Sequence, residues 1–259
     1  MKRRVVIKVG SNVLSRADGT LDVTRMSSLV DQVVGVRRLG WDVILVTSGA
    51  VACGRSALGA EEGLDSVEQR QLYSAVGQVR LINHYDTFFG EYGVPVGQVL
   101  TMKKNFATEE EFQNQKSCME VMLQHGVVPI VNENDTVCIT ELMFTDNDEL
   151  SGLVAEMLAA DTLVLLTNVD GIYTGDPSTP GARLIRRVLP FDDLSGAISA
   201  RISTSGRGGM RSKYEVARRV ASEGVRVIIA NGERDAIIPD VLLRPEETVC
   251  TEFVASARA

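Results

Sequence analysis

Short apolar runs alternate with longer amphipathic segments along almost the whole chain. The apolar runs predict buried strands over residues 4–9, 42–46, 94–100, 127–131, 162–166 and 225–229. The amphipathic segments predict helices over residues 23–39, 67–92 (one long helix or two joined ones), 109–125, 148–159 and 210–223. Strands rich in Val, Ile and Leu that alternate with helices are typical of a parallel sheet covered on both faces. The pattern therefore predicts an α/β fold, a three-layer α/β/α sandwich with a mainly parallel central sheet, in one domain over residues 1–259.

Polar or glycine-bearing segments follow four of the predicted strands. They occupy residues 8–11, 47–50, 132–135 and 167–171. Because ligands bind beyond the carboxyl ends of the strands in such sheets, we expect these segments to form the active site. The stretch 168–207 is rich in Gly, Pro and Asp, and we expect it to form loops and hairpins around a ligand.

Charge and hydropathy limit the class of partner. The formal net charge of −7 over 259 residues argues against a nucleic-acid partner, which needs a basic surface. No apolar run reaches the roughly 18 residues of a membrane-spanning helix. The basic start of the chain is followed by an apolar stretch that Lys8 interrupts, unlike a signal peptide. We therefore expect a cytoplasmic enzyme that acts on small molecules.

The few cysteines and histidines limit the chemistry. No C-x-x-C pair occurs among the four cysteines, which are Cys53, Cys118, Cys138 and Cys250. We expect ordinary thiols rather than disulfides or a metal site. The two histidines, His84 and His125, lie in no zinc-binding or catalytic-triad pattern. Lysines and carboxylates are the groups left to carry a reaction.

Two lysine-bearing segments suit phosphate. Lys8 lies inside an apolar run, where its ammonium group needs either an anionic partner or access to water. A lysine that extends from the strand to solvent and has no role in binding would explain its position as well as a phosphate site would. The following Gly10 and Ser11 favour an anion site. The glycine-rich segment 204–213 opens a helix and places Lys213 in its first turn, where N–H groups and the helix dipole favour anions. A mobile surface loop would have a similar composition.

Two familiar nucleotide motifs are missing. The chain has no G-x-x-x-x-G-K-[ST], and no G-x-G-x-x-G follows its first strand. A P-loop protein and a dinucleotide-dependent dehydrogenase are therefore disfavoured.

An acidic run, Phe-Thr-Asp-Asn-Asp-Glu over residues 144–149, begins a predicted helix. Helix capping explains one of these residues. The others fit either the positioning of lysines and metal-bound phosphates or the recognition of a substrate ammonium group. Residues 170–177 contain Gly and Asp-Pro, which turn formation explains, and a nucleotide site there would use Tyr173.

Six ordered segments resemble the amino acid kinase family, and within it the kinases that phosphorylate the γ-carboxylate of glutamate. They are KVGSNVL, VTSGAVACGR, VNENDTV, FTDNDELS, LLTNVDGIYTGDP and GRGGMRSK. The resemblance covers nearly the whole chain and implies the amino acid kinase fold, with the glutamate site in the N-terminal half and the ATP site in the C-terminal half. It implies that L-glutamyl 5-phosphate and ADP are made from glutamate and ATP, as the first step of proline biosynthesis.

The resemblance also implies roles for individual residues. Lys8 and Lys213 would stabilise the transferring phosphoryl group, and Asp148 would hold both lysines. Glutamate would be bound by Ser48, Gly49, Asn132, Asp135, Asp146 and Asn147. ATP would be contacted by Lys8, Gly10, Ser11, Thr167, Asn168, Tyr173, Asp176, Arg207, Gly208, Gly209, Met210, Arg211, Ser212 and Lys213. Mg²⁺ would be bound through the phosphates, with no ligand from the protein. Feedback inhibition by proline and a dimer or tetramer are further implications.

Two features depart from the family pattern. Residue 168 is Asn where Asp is often found, and the chain would be a form without an additional C-terminal PUA domain. The alternatives are another kinase of the same fold, acting on acetylglutamate, uridylate or carbamate, and a non-catalytic amino-acid sensor. A sensor would have no need of two phosphate-facing lysines. The choice of glutamate rests on the resemblance of residues 48–55 and 132–137 rather than on the chemistry of the lysines.

Overall fold

The sheet at the centre of the molecule is formed by eight strands. A computed structural model describes residues 2–59, 63–137, 146–194 and 209–257. The strands in these ranges are β1 (Arg4–Val9), β2 (Asp42–Val46), β3 (Val96–Thr101), β4 (Val128–Glu133), β5 (Thr162–Thr167), β6 (Arg187–Val188), β7 (Arg226–Asn231) and β8 (Cys250–Phe253).

The strand order brings the predicted strand ends together. Across the sheet the order is β3-β4-β2-β1-β5-β7-β8-β6. The strands from β3 to β7 are parallel, β8 is antiparallel to β7, and β6 pairs parallel with β8. Lys8 on β1 pairs with Val46 on β2 and with Leu165 on β5. The carboxyl ends of β4, β2, β1 and β5 therefore meet at one edge of the sheet.

Helices cover both faces of the sheet. The helices of the described ranges are α1 (Ser11–Leu14), α2 (Val23–Arg38), α3 (Ala50–Leu58), α4 (Ser66–Gly90), α5 (Glu109–Gln124), α6 (Asn147–Met157), α7 (Met210–Ser222) and α8 (Ile237–Leu243). One hydrophobic core joins the sheet to α1, α2, α3, α4 and α8. A second core joins the opposite face to α5, α6 and α7. The predicted three-layer sandwich is confirmed.

The alternation of side chains along β1 decides which layer Lys8 meets. Val5, Ile7 and Val9 lie in the first core, whereas Val6 lies in the second. Because successive side chains of a strand point to opposite faces, Lys8 is on the side of Val6. That side carries α6 and α7, the two helices that hold Asp148 and Lys213.

The predicted elements all occur, with ends that differ by at most two residues from the structure. The stretch predicted as one helix or two is the single helix α4. Six short elements of the described ranges were missed, namely α1, α3, α8, β6, β8 and a 3-10 helix at Lys103–Phe106. Their brevity hides any periodicity, and Gly54 in α3 and Pro239 in α8 lower the intrinsic helix propensity.

The loop-rich stretch after β5 is partly described. It contains an isolated antiparallel bridge between Tyr173 and Leu184, followed by β6, whereas residues 195–208 lie outside the described ranges. Of the described cysteines, Cys53, Cys118 and Cys250 are free thiols, and Cys138 lies outside those ranges. Within the described part of the chain, every helix is too short or too polar to cross a bilayer.

Candidate active site

A cavity of about 840 Å³ opens at the carboxyl ends of the parallel strands. It is lined by residues from the ends of β1, β2, β4 and β5 and from the first turns of α3, α6 and α7. The predicted site residues in this lining are Lys8, Gly10, Ser11, Ser48, Gly49, Asn132, Asp135, Asp146, Asn147, Asp148, Thr167, Asn168 and Lys213. Segments far apart in the sequence are thus brought to one site.

Asp148 bridges two buried lysines in this cavity. Nζ of Lys8 lies 2.7 Å from one carboxylate oxygen of Asp148, and Nζ of Lys213 lies 2.9 Å from the other. The side chains of Lys8, Asp148 and Lys213 are 6%, 0% and 8% exposed. A buried charge is tolerated when it is paired, yet one carboxylate here serves two ammonium groups. The cluster therefore has a net charge of +1, which favours an anionic ligand.

The two lysines decide the charge of Asp148. Burial alone would raise the pKa of this carboxyl, but Lys8 and Lys213 together lower its pKa to about 2. Asp148 is also the second residue of α6, where backbone N–H groups and the helix dipole favour a negative charge. The carboxylate therefore stays ionised, and both lysines stay fixed, throughout the neutral pH range.

Asp146 connects the helices that carry Asp148 and Lys213. One of its oxygens caps α6 by accepting hydrogen bonds from the backbone N–H of Asp148 and of Glu149, at 2.9 and 3.1 Å. Its other oxygen accepts a hydrogen bond of 2.5 Å from the hydroxyl of Ser212 on α7. Burial and the neighbouring Asp148 raise the pKa of Asp146. The start of α6 and the first turn of α7 are therefore fixed relative to each other.

A network of amides joins the strand ends to α6. Nδ2 of Asn147 lies 2.8 Å from the carbonyl oxygen of Thr47, 3.1 Å from Oγ of Ser48 and 3.0 Å from Oδ1 of Asn132. An amide nitrogen has two hydrogens, so the three acceptors share them. Nδ2 of Asn132 donates a hydrogen bond of 3.0 Å to Oε1 of Gln78 on α4. The predicted substrate-binding residues of β2, β4 and α6 are therefore held as one unit.

An acidic pair lies at the end of β4 and contacts an arginine. Nη2 of Arg70 lies 2.8 Å from Oε2 of Glu133 and also contacts Oδ1 of Asp135. The side chains of Arg70, Glu133 and Asp135 are 17%, 5% and 10% exposed. Burial raises the pKa of Asp135, and Arg70 acts against that rise. The three charges sum to −1, opposite in sign to the lysine cluster.

The first turn of α3 supplies backbone donors to the cavity. Gly49 precedes this helix with a φ of +107°, a conformation that glycine adopts without strain, and no side chain caps the helix. The backbone N–H groups of the first turn have no acceptor within the helix. Gly49, Ala50, Val51 and Ala52 all line the cavity. This turn can therefore bind a carboxylate.

The nucleotide residues expected from the sequence are only partly in the cavity. Gly10, Ser11, Thr167 and Asn168 line it, and Asn168 is exposed. Six other described residues are absent from the lining, namely Tyr173, Asp176, Gly209, Met210, Arg211 and Ser212. The remaining two predicted residues, Arg207 and Gly208, lie outside the described ranges.

Outside the lining, Asp176 and Arg211 contact residues that lie close to them in the sequence. One carboxylate oxygen of Asp176 accepts hydrogen bonds from the backbone N–H and the hydroxyl of Ser178, at 2.9 and 2.6 Å. Arg211 forms an exposed ion pair of 2.9 Å with Glu215 one turn later.

The described residues contain no group of three or more His, Cys, Asp or Glu side chains arranged to hold a metal ion. Both oxygens of Asp148 are occupied by lysines.

Sequence reasoning missed the contribution of α4. Arg70 and Gln78 contact the end of β4, and the hydroxyl of Tyr85 lies 2.7 Å from the hydroxyl of Thr47 at the end of β2. The signal present in the sequence was a set of polar groups on the otherwise apolar inner face of a predicted helix. It could not identify the partners, which are 38 to 65 residues distant along the chain.

Comparison with known proteins agrees with this geometry. The model of the amino acid kinase family matches residues 3–231. A protein named glutamate 5-kinase from Bacteroides thetaiotaomicron is 58% identical over 256 residues, covering 99% of this chain and 71% of the relative. One of the same name from Chlorobaculum tepidum is 43% identical over 240 residues, covering 92% of this chain and 66% of the relative.

A solved structure shares the fold. The carbamate kinase from Giardia lamblia bound to AMP-PNP has a TM-score of 0.68 and 18% identity, covering 98% of this chain and 99% of that one. On the strength of the family model and of the two bacterial relatives, the chain belongs to the amino acid kinase family, in the branch of the glutamate 5-kinases.

Proposed function

We propose that this protein transfers the γ-phosphoryl group of ATP to the γ-carboxylate of L-glutamate, giving L-glutamyl 5-phosphate and ADP, the first step of proline biosynthesis. The observation that carries the proposal is the buried cluster of Lys8, Asp148 and Lys213 in the cavity. The names of the relatives favour glutamate over acetylglutamate, uridylate or carbamate as the acceptor.

The reaction needs charge neutralisation more than proton transfer. An oxygen of the γ-carboxylate attacks the γ-phosphorus of ATP, and the bond from that phosphorus to the β–γ bridging oxygen breaks, its electron pair leaving with ADP. Because a carboxylate is already a nucleophile, no general base is required. Lys8 and Lys213 would offset the negative charge that gathers on the transferring group, and Asp148 would keep their positions fixed.

The charge distribution of the cavity suits an amino acid with a second carboxylate. The lysine cluster, at +1, would face the γ-carboxylate and the phosphoryl group. The group of Arg70, Glu133 and Asp135, at −1, would face the α-ammonium. The first turn of α3 would bind the α-carboxylate through backbone N–H groups. In this proposal Ser48, Gly49, Asn132, Asp135, Asp146 and Asn147 make up the glutamate site.

The nucleotide would bind in the C-terminal half of one kinase domain. Gly10, Ser11, Thr167 and Asn168 would contact it at the strand ends, together with the residues of segment 207–213. Tyr173 and Asp176 would lie near the base and ribose. Mg²⁺ would bind to the phosphates, and no step here depends on a protein ligand for it. The cytoplasmic location, a dimer or tetramer, and feedback inhibition by proline complete the proposal on the strength of the family resemblance.

One assay tests this function. The purified protein is incubated with ATP, Mg²⁺, glutamate and hydroxylamine, which traps an acyl phosphate as its hydroxamate. We expect hydroxamate and ADP to form in equal amounts, and Lys8→Met to abolish both, which excludes a contaminating kinase. Turnover with acetylglutamate, carbamate or UMP in the absence of any glutamate hydroxamate would overturn the assignment.

A further inference from the structure

Arg70 is a half-buried charge that the proposed reaction itself does not use. It lies one turn into α4, and it lines the cavity beside Glu133 and Asp135. A single guanidinium nitrogen, Nη2, contacts a carboxylate oxygen of each acid. Its side chain is 17% exposed, and burying such a group costs free energy unless it is paired. Its partners therefore determine where it lies.

The net charge of Arg70, Glu133 and Asp135 together favours the binding of one cation. Glu133 and Asp135 supply two negative charges and Arg70 supplies one positive charge. Without Arg70, two nearly buried carboxylates would lie side by side, and mutual repulsion would favour the protonated form of one of them. With Arg70 in contact with both, the repulsion between the two carboxylates is reduced and both can be ionised.

We propose that Arg70 is a positioning residue for the ammonium group of the amino-acid substrate, acting through Asp135 and Glu133. The inference rests on the proposed function, because it assumes that the substrate is an amino acid whose ammonium group meets Asp135. Arg70 comes from the helix layer, whereas Glu133 is the last residue of β4 and Asp135 follows that strand. Its guanidinium therefore fixes the carboxylates of Glu133 and Asp135, beside the backbone contacts that Gln71 makes with Thr136 and that Asn134 makes with Thr101.

The inference predicts how binding depends on pH. Burial raises the pKa of Asp135 and Arg70 counteracts that rise, so removing Arg70 should raise the pKa further. The charged groups of the described residues that share the cavity with Asp135 are Arg70 from α4, Glu133 from β4, Arg55 from α3, Arg16 from the segment after α1, and Asp146, Asp148, Lys8 and Lys213 from its other walls. Of these, Arg70 is the one that contacts Asp135, and it counteracts the rise in the pKa of Asp135 that burial causes.

Two substitutions should move the pH profile in opposite directions. In Arg70→Gln the acid limb of kcat/KM for glutamate should move to higher pH by about one unit, because Asp135 loses its cation. In Glu133→Gln the same limb should move to lower pH, because Asp135 then loses a neighbouring negative charge and keeps its contact with Arg70. At neutral pH, Arg70→Gln should raise the KM for glutamate about tenfold or more, with kcat and the KM for ATP within about twofold.

Controls separate positioning from folding. Arg70→Lys keeps the charge and should retain the glutamate KM within about threefold. Arg80→Gln, an exposed arginine on the same helix, should leave all parameters unchanged. Thermal unfolding of each variant reports any loss of structure. If Arg70→Gln does not fold, the direction of the shift in Glu133→Gln decides the question.

The inference is wrong if the acid limb stays in place in the variants, or if Arg70→Gln lowers kcat while the glutamate KM is unchanged. It is also wrong if the KM values for ATP and glutamate rise together. Failure of the proposed function would look different, since the wild-type protein itself would then form no glutamate hydroxamate.

Discussion

Two groups of charged side chains with opposite net charge line one cavity. In each group, one residue forms ion pairs with the other two. Asp148 bridges Lys8 and Lys213 with both of its oxygens. Arg70 bridges Glu133 and Asp135 through one nitrogen. In each group one charged residue contacts two residues of the opposite charge, so the three residues together keep one unit of net charge. At the scale of single residues, this pairing explains how the charges are tolerated at positions largely shielded from water.

Lys213→Ala tests the role of the positive group. We expect kcat to fall about 100-fold or more, because the lysine would act on charge that develops during transfer, while the dissociation constant for glutamate changes less than about threefold. Steady-state rates and equilibrium binding of glutamate measure the two effects. Lys103→Ala is the matched control: Lys103 lies 2.8 Å from Glu149 on the same helix as Asp148, but its side chain is 51% exposed. Equal losses of turnover and of glutamate binding would assign Lys213 a different role.

The lowered pKa of Asp148 predicts a specific acid sensitivity. Its pKa is about 2 in the folded protein and 3.8 as the ordinary value. The corresponding stabilisation, about 2 kcal/mol, is complete above pH 3.8 and is lost as the pH falls towards 2. Burial raises the pKa of Asp135 and of Asp146, so these two acids become less destabilising as they take up protons.

Denaturant unfolding at several pH values measures this dependence. Between pH 4 and pH 2 the wild-type protein should lose about 2 kcal/mol more than Asp148→Asn, which has no carboxyl to protonate. Asp86→Asn, at an exposed position of α4, should follow the wild-type curve. Parallel curves for the wild type and Asp148→Asn would refute the assignment of the low pKa.

At the scale of elements, α4 connects the substrate side of the cavity to the rest of the fold. Arg70 and Gln78 reach the end of β4, and Tyr85 reaches Thr47 at the end of β2. The same helix lies directly against α3 at two glycines. A Cβ on Gly77 would come within 1.7 Å of the carbonyl oxygen of Ala50, and one on Gly54 within 1.9 Å of that of Tyr73. This backbone contact sets the position of the first turn of α3 in the cavity.

Gly77→Ala should therefore impair both stability and substrate binding. Because the methyl group would meet backbone atoms that have no alternative rotamer, we expect the free energy of unfolding to fall by about 3 kcal/mol and the glutamate KM to rise. Gly35→Ala on α2 is the matched control, since a Cβ there has no heavy atom within 4 Å, and it should be neutral or stabilising by up to about 1 kcal/mol. Similar unfolding curves for both variants would disprove the close contact.

At the scale of the molecule, the sheet order brings segments from four parts of the chain together. The strands β4, β2, β1 and β5 are neighbours although β3 and three helices separate β2 from β4 in the sequence. Lys8 belongs to the first strand, and Lys213 follows it by 205 positions. Their common partner, Asp148, lies on a third element. Parallel topology achieves this because the carboxyl ends of its strands share an edge.

Periodicity and residue type alone gave the six parallel strands, the five long helices and the layer order. Those features depend on local patterns of apolar residues, which can be recognised without knowing which residues are in contact. The same patterns failed for α1, α3 and α8, because a helix of four to nine residues shows too few turns for its period to be recognised. Lys8 could be chosen as a candidate because a charged residue inside an apolar run is unusual, and Lys213 because it lies in the first turn of a helix after a glycine-rich segment. The role of Asp148 followed only from the resemblance to the family.

The sequence by itself determined the fold class, the strand ends that meet, and the choice of lysines and carboxylates for the chemistry. Only the tertiary structure decided that Asp148 serves both lysines, that Asn147 joins three elements, and that Arg70 shares one nitrogen between Glu133 and Asp135. The physical reason is that burial, and with it pKa and net local charge, depends on atoms that are distant along the chain. Whether a segment forms a strand or a helix depends mainly on residues that are close in the sequence. The net charge of the cavity depends on residues that are close only in space.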